Sequence, residues 1–153
     1  MRPFLIAALL CGPGNAVACG QWQPQAIKSD ADLRGLCAVS PKVAWVSGTK
    51  GTFGRTTDGG QTWAVGTVPG AEKLDFRDVE AFGEDTAYLL SAGPGEESRV
   101  YKTTDGGKAW KLQFKNAEPK GFFNALAFWD EQHGIALGDP VDERFHLIVT
   151  DDG

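Results

Sequence analysis

Three aspartates recur at near-constant spacing and are the first candidates for chemistry. Asp58 lies in Thr56–Trp63, which reads T-T-D-G-G-Q-T-W. Asp105 lies in Thr103–Trp110, T-T-D-G-G-K-A-W, and Asp151 in a shortened copy, V-T-D-D-G, that ends at Gly153. The aspartates are 47 and 46 residues apart. Two chemistries are open to such a carboxylate. It could ligate a cation, but one carboxylate per turn is a poor set for calcium, which takes about six to eight oxygens. It could instead accept hydrogen bonds from the N–H groups of its own turn, and Asp before Gly-Gly between extended runs is a hairpin signal. The second reading is the stronger, so these aspartates hold turns together.

A fixed period of this length implies an array of supersecondary units. Each turn follows a strand-like run: Thr52–Thr56, Arg99–Thr103 and Phe145–Val149. Trp63 and Trp110 open the returning strands, where an indole can fill a wedge between sheets. Upstream, Leu33–Val39 and Val43–Gly48 read as strands, matched by Phe76–Phe82 with Thr86–Ser91, and by Phe123–Phe128 with His133–Gly138. Each unit is therefore a four-stranded antiparallel meander, the shape of a propeller blade. The expected fold is all-β, with blades at about 33–68, 74–115 and 122–153 after a lead-in at 19–32. Closed propellers have about 4–8 blades, and seven at this period need roughly 330 residues. The expectation is thus an N-terminal fragment of a seven-bladed propeller, ending inside its third turn.

The turns resemble the Asp-box, or BNR repeat, whose pattern is Ser/Thr-x-Asp-x-Gly-x-Thr-Trp. Thr56, Asp58, Gly60, Thr62 and Trp63 match it in full. Thr103, Asp105, Gly107 and Trp110 match with Ala109 in place of Thr, and Asp151 and Gly153 match with Val149 at the Ser/Thr position. The resemblance covers about residues 33–153 and implies a β-propeller. Sialidases, other glycosidases, sortilin-like receptors and the photosystem II stability/assembly factor-like proteins share the motif. The short blades look most like the last group, which implies a binding or assembly role.

Composition narrows the function. Twenty Asp and Glu against 15 Lys and Arg give a net charge of −5. With no basic stripe, nucleic-acid binding is disfavoured. Residues 1–18 read as a secretory signal: Arg2, a short apolar run Phe4–Leu10, and an A-x-A cleavage site ending at Ala18. Cleavage leaves Cys19 first. Plain export to the periplasm or medium is favoured over lipid anchoring at Cys19, because Ala16 stands where the lipoprotein signal prefers Leu. Membrane association would come only from that lipid or from a membrane-complex partner. Cys37 falls in a strand and reads as a small buried residue; a Cys19–Cys37 disulfide is permitted in an oxidising compartment.

Binding is expected on the face opposite the turns, where the loops between strands two and three and between blades gather. Arg34 and Arg77 start equivalent innermost strands, with Asn124 third, and Asp139, Asp142 and Arg144 lie in a loop of the same face. Two readings stand: solvated strand-end charges, or an arginine-lined patch for a peptide or carboxylate. No cofactor fingerprint is present, and His133 and His146 lack metal-ligand spacing. The sequence-level function is an exported, non-enzymatic propeller scaffold for a protein or peptide, serving assembly or stability of an envelope or membrane complex. The alternative is the N-terminal part of an exported sialidase-like glycoside hydrolase with its catalytic residues mostly beyond Gly153. No catalytic residue is assigned, and the sialidase family's F/Y-R-I-P motif is absent.

Overall fold

The computed structural model describes residues 22–153. The expected leader with its cleavage site at Ala18 and Cys19 lies outside the described residues. Among the described residues, eleven strands form three antiparallel sheets. The first holds β1 (Leu33–Ala38), β2 (Ala44–Gly48), β3 (Thr52–Thr56) and β4 (Ala64–Thr67) in sequential order. The second holds β5 (Asp75–Ala81), β6 (Ala87–Ala92), β7 (Arg99–Thr103) and β8 (Lys111–Lys115). The third holds β9 (Phe123–Phe128), β10 (Gly134–Val141) and β11 (Arg144–Thr150). The first strands β1, β5 and β9 lie side by side, so the sheets stack face to face as neighbouring blades.

Side chains alternate across a strand, so each sheet has one face toward the next sheet and one toward the previous. The middle sheet is covered on both, which is why every residue of β6 is buried and its sequence, AYLLSA, does not alternate. One core fills the first junction, with Trp45, Phe53, Phe76 and Leu89 among its members. A second fills the next, around Tyr88, Leu90, Phe123 and Leu126.

The two junctions use one device. Trp45 is fully buried, and its Nε1–H donates to the Gly83 carbonyl of the next sheet at 2.9 Å. Tyr88, at the matching place in β6, donates its hydroxyl to the Glu131 carbonyl at 2.8 Å. Arg55 lies over the Trp45 ring and Lys102 over the Tyr88 ring, at 5.6 and 4.9 Å. Each large ring is thus buried with its polar tip satisfied, as burial requires. Trp110 then wedges between the first two sheets, edge-on to Trp45 at 6.3 Å and to Phe53 at 5.0 Å.

The repeated turns are built by hydrogen bonds. Thr56 Oγ1 donates to Asp58 Oδ1 at 2.8 Å and accepts from Gly60 N at 2.9 Å. Asp58 Oδ1 accepts from Thr62 N at 2.9 Å, and its Oδ2 accepts from the Thr62 hydroxyl. Gly59 and Gly60 both have positive φ, 75° and 88°, which a side chain would resist. The second turn repeats this with Thr103, Asp105 and Gly107. In the third, Thr150 Oγ1 donates to Asp152 Oδ1 at 2.9 Å and accepts from Gly153 N. The third turn therefore aligns Thr150 with Thr56 and Asp152 with Asp58. Asp151, expected in that role, stands one place earlier, and Gly153 (φ 81°) matches Gly59. The adjacent aspartates allow either alignment on paper; the threonine hydroxyl decides it.

Hydrogen bonds from the Thr62 hydroxyl, and then from its N–H, lower the Asp58 pKa to about 2. A depressed folded pKa means stability that is full above the unfolded value near 4 and is lost as pH falls toward 2. Nuclear magnetic resonance titration of the folded chain is expected to place Asp58 near 2, with Asp105, which lacks the hydroxyl at Ala109, shifted down by its backbone bond first. In urea unfolding, Thr56→Val, nearly isosteric, is expected to lose roughly 1–3 kcal/mol by unpairing the turn. Trp45→Ala is expected to lose about 3–5 kcal/mol.

Candidate functional site

The face opposite the turns carries one irregularity three times. The β1–β2 register slips between Leu33 and Gly35, the β5–β6 register between Phe76 and Asp78, and the β9–β10 register skips the residue between Phe123 and Ala125. The extra residues are Arg34, Arg77 and Asn124. A bulge leaves one residue unpaired in the ladder and re-aims its side chain. The three sequence-level candidates thus occupy one structural position, and each first strand presents its bulge residue at the same level.

The bulge residues reach sideways to the next sheet. Arg34 Nε lies 2.9 Å from Asp75 Oδ1 on β5, an ion pair whose N–H is not aligned for a hydrogen bond. Arg77 Nη1 donates to Asn124 Oδ1 at 2.9 Å, and the guanidinium lies 5.4 Å over the Phe122 ring. Asn124 Nδ2 donates to Asp139 Oδ1 at 2.6 Å. A bulge in β10 between Gly138 and Val141 lets Asp139 meet Asn124 and places Pro140 where no ladder bond is needed. Arg77, Asn124 and Asp139 therefore form one chain across two sheets. Arg77 spends one of its five N–H donors on Asn124, and the rest of its fork has no hydrogen-bond partner among the described residues.

Asp142 and Arg144 sit elsewhere. The expected loop at 139–144 is mostly strand, because β10 and β11 continue to a two-residue turn at Asp142-Glu143. Both turn residues have positive φ, 48° and 65°, as a tight hairpin requires. Asp142 pairs with Lys120 at 2.7 Å. Arg144 is exposed and has no ion-pair partner among the described residues. The other loop charges are largely paired among themselves: Lys50 with Asp30 and Lys115 with Glu96.

Sequence reasoning missed the contacts that Asp75, Phe122 and Asp78 make with neighbouring sheets. Asp78 Oδ1 accepts from Val79 N and its Oδ2 from Leu126 N, at 2.9 and 2.8 Å, clasping β5 to β9. Burial raises the Asp78 pKa despite these bonds, and Glu80 is raised by burial and then by Asp78. Tyr88 and Tyr101 are core residues, Tyr101 edge-on to Phe76 at 5.7 Å. Cys37 is half-buried, with Sγ 3.9 Å from the Ala81 carbonyl, and burial raises its thiol pKa. Among the described residues, no three His, Cys, Asp or Glu side chains converge as a metal site.

No protein-family model matches the chain. In sequence it is 26% identical over 153 residues to the photosystem II assembly lipoprotein Ycf48 of Picosynechococcus sp. (strain ATCC 27264 / PCC 7002 / PR-6), covering 74% of this chain and 45% of that protein. It is 34% identical over 77 residues to the Ycf48 of Synechococcus sp. (strain CC9902), covering 48% and 21%. Among solved structures it is similar to Ycf48 bound to D1 peptide, with a TM-score of 0.67, 20% identity, and 82% and 39% of the two chains covered. Ycf48 from Cyanidioschyzon merolae gives 0.63, 21%, 84% and 39%. The three sheets are β-propeller blades. The chain spans less than half the length of each of these relatives.

The Arg77–Asn124 bond predicts coupling. A double-mutant cycle of Arg77→Ala with Asn124→Ala, read by urea unfolding, is expected to give about 1 kcal/mol of interaction. Arg144→Ala, on the exposed hairpin, is expected to change stability by less than about 0.5 kcal/mol.

Proposed function

We propose that this chain is part of a non-enzymatic propeller scaffold that binds a protein or peptide segment on its loop face. The observation that carries the reading is the thrice-repeated bulge, which sets Arg34, Arg77 and Asn124 at one level of adjacent blades. A row of this kind suits an extended segment crossing the blades. Arg77 keeps free donors for a carboxylate or backbone carbonyl, a geometry that guanidinium serves well. The similar Ycf48 structure with a bound D1 peptide supports a peptide as ligand class.

The biological role in this reading is assembly or stability of an envelope or membrane complex, which the similarity to photosystem II assembly lipoproteins supports. Export through the leader at 1–18, to the periplasm or medium, fits that role. Lipid attachment at Cys19 would hold the scaffold near its client. The repeated turns, which match the Asp-box pattern, serve as structural staples on the opposite face.

The test is a pull-down from the membrane fraction of the source cell, with the wild type beside an Arg34→Ala/Arg77→Ala variant whose folding is checked by circular dichroism. Loss of one or two charge-assisted hydrogen bonds, at about 1.5–3 kcal/mol each, is expected to weaken capture of a defined protein by at least roughly tenfold. Equal capture by both forms, or release of sugar from a glycan panel by the purified chain, would contradict the reading.

A further inference from the structure

The two arginines of the bulge row are held by opposite kinds of partner. Arg34 Nε lies 2.9 Å from Asp75 Oδ1, so a carboxylate stands beside its charge. Arg77 is held by an amide and an aromatic ring, Asn124 Oδ1 at 2.9 Å and the Phe122 ring at 5.4 Å. Neither of these carries a charge, and a ring face attracts a cation without neutralising it. No acidic side chain pairs with Arg77 among the described residues. Both sets of contacts cross interior junctions, β1 to β5 and β5 to β9.

The carboxylate in this chain of contacts belongs to Asp139, and Asn124 stands between it and Arg77. A guanidinium only donates and a carboxylate only accepts, whereas a primary amide does both. The amide is thereby fixed: Oδ1 faces Arg77, and Nδ2 donates to Asp139 Oδ1 at 2.6 Å. Asp139 also sets the second support of Arg77. Its N–H donates to the Phe122 carbonyl at 2.8 Å, while Phe123 N donates to the buried Ser98 hydroxyl at 3.0 Å. A Cβ on Gly138 would stand 2.9 Å from the Phe122 oxygen, so this approach relies on the glycine. Asp139 thus holds both groups that hold Arg77, yet its charge stays one side chain away.

We infer that Asn124 is the specificity-determining residue of the row: it positions Arg77 without compensating its charge, and so directs an acidic side chain of a bound peptide to the junction of the second and third blades. The inference rests on the reading of the loop face as a peptide site. The acidic side chain accepts from the N–H groups of Arg77 that Asn124 leaves, as charge-assisted hydrogen bonds. Arg34 is a brace and reads no charge. An acidic side chain brought to it would meet the Asp75 carboxylate as well, and juxtaposed like charges oppose binding.

The experiment is a nuclear magnetic resonance titration of the arginine side-chain Nε–H signals of the full chain, with circular dichroism as the folding control for every variant. The probes are an end-blocked peptide of alternating Glu and Ser and its Gln-Ser counterpart. The Arg77 signal is expected to move, and the acidic peptide to bind at least roughly tenfold tighter than the neutral one. The decisive variant is the exchange Asn124→Asp/Asp139→Asn. It keeps the net charge and a donor and acceptor for each bond of the chain, but moves the carboxylate next to Arg77. It is expected to hold its affinity for the neutral peptide and to bind the acidic one at least roughly tenfold more weakly. Arg77→Gln is expected to lose the preference as well, and Arg34→Gln to retain it. Equal affinity of the wild type for the two peptides overturns the inference and leaves the scaffold reading standing. So does an exchange variant that keeps the preference, or a preference lost with Arg34→Gln. Binding of neither peptide contradicts both the inference and the reading beneath it.

Discussion

A sheet with two apolar faces must be covered twice, and the rest of this structure follows from that constraint. The buried ring of each blade's second strand, Trp45 and then Tyr88, meets it by packing on the next sheet while its polar tip finds a carbonyl there. Covering each face requires neighbouring sheets at a fixed spacing, which the indole wedge of Trp110 sets. The wedge in turn needs its backbone held at a defined point after the hairpin. The Thr-Asp-Gly-Gly turn supplies that point, with Thr56 and Asp58 tying the strand end to the approach of Trp63. The turns are stiff because packing elsewhere depends on where they release the chain.

The stacked sheets leave the loop face free, and there the bulges do the positioning. An unpaired residue at the top of each first strand is released from the ladder without disturbing the core below. Arg34 and Arg77 link their own sheet to the next through Asp75 and Asn124, so the same side chains brace the junction and face solvent. A ligand that engages Arg77 would act on a group already oriented by Phe122 and Asn124, which lowers the ordering cost of binding.

Much of this was legible in the sequence, because the informative features are local and periodic. The turn residues, the strand runs and the Trp110 wedge each announce themselves within a few positions of one another. The third turn was misaligned by one residue because Asp151 and Asp152 are chemically alike, and the Thr150 hydroxyl that separates them bonds only in the folded turn. The bulges were not legible. An extra residue in a register is defined against the partner strand, and nothing near Arg34, Arg77 or Asn124 marks it. The Asp75, Phe122 and Asp78 contacts were hidden for the same reason: each joins sheets roughly one period apart in sequence. The loop expected at 139–144 became strand because the long β10–β11 hairpin needs only two residues to turn.

Native-state hydrogen exchange tests most directly whether two-sided covering of sheet faces governs this fold. The amides of β6, covered on both faces and paired on both edges, are predicted to exchange only through global unfolding. Those of β11, an edge strand with Leu147 and Val149 exposed, are predicted to exchange through local opening. Equal protection of β6 and β11 would contradict the account, since stability would then not depend on which faces are covered.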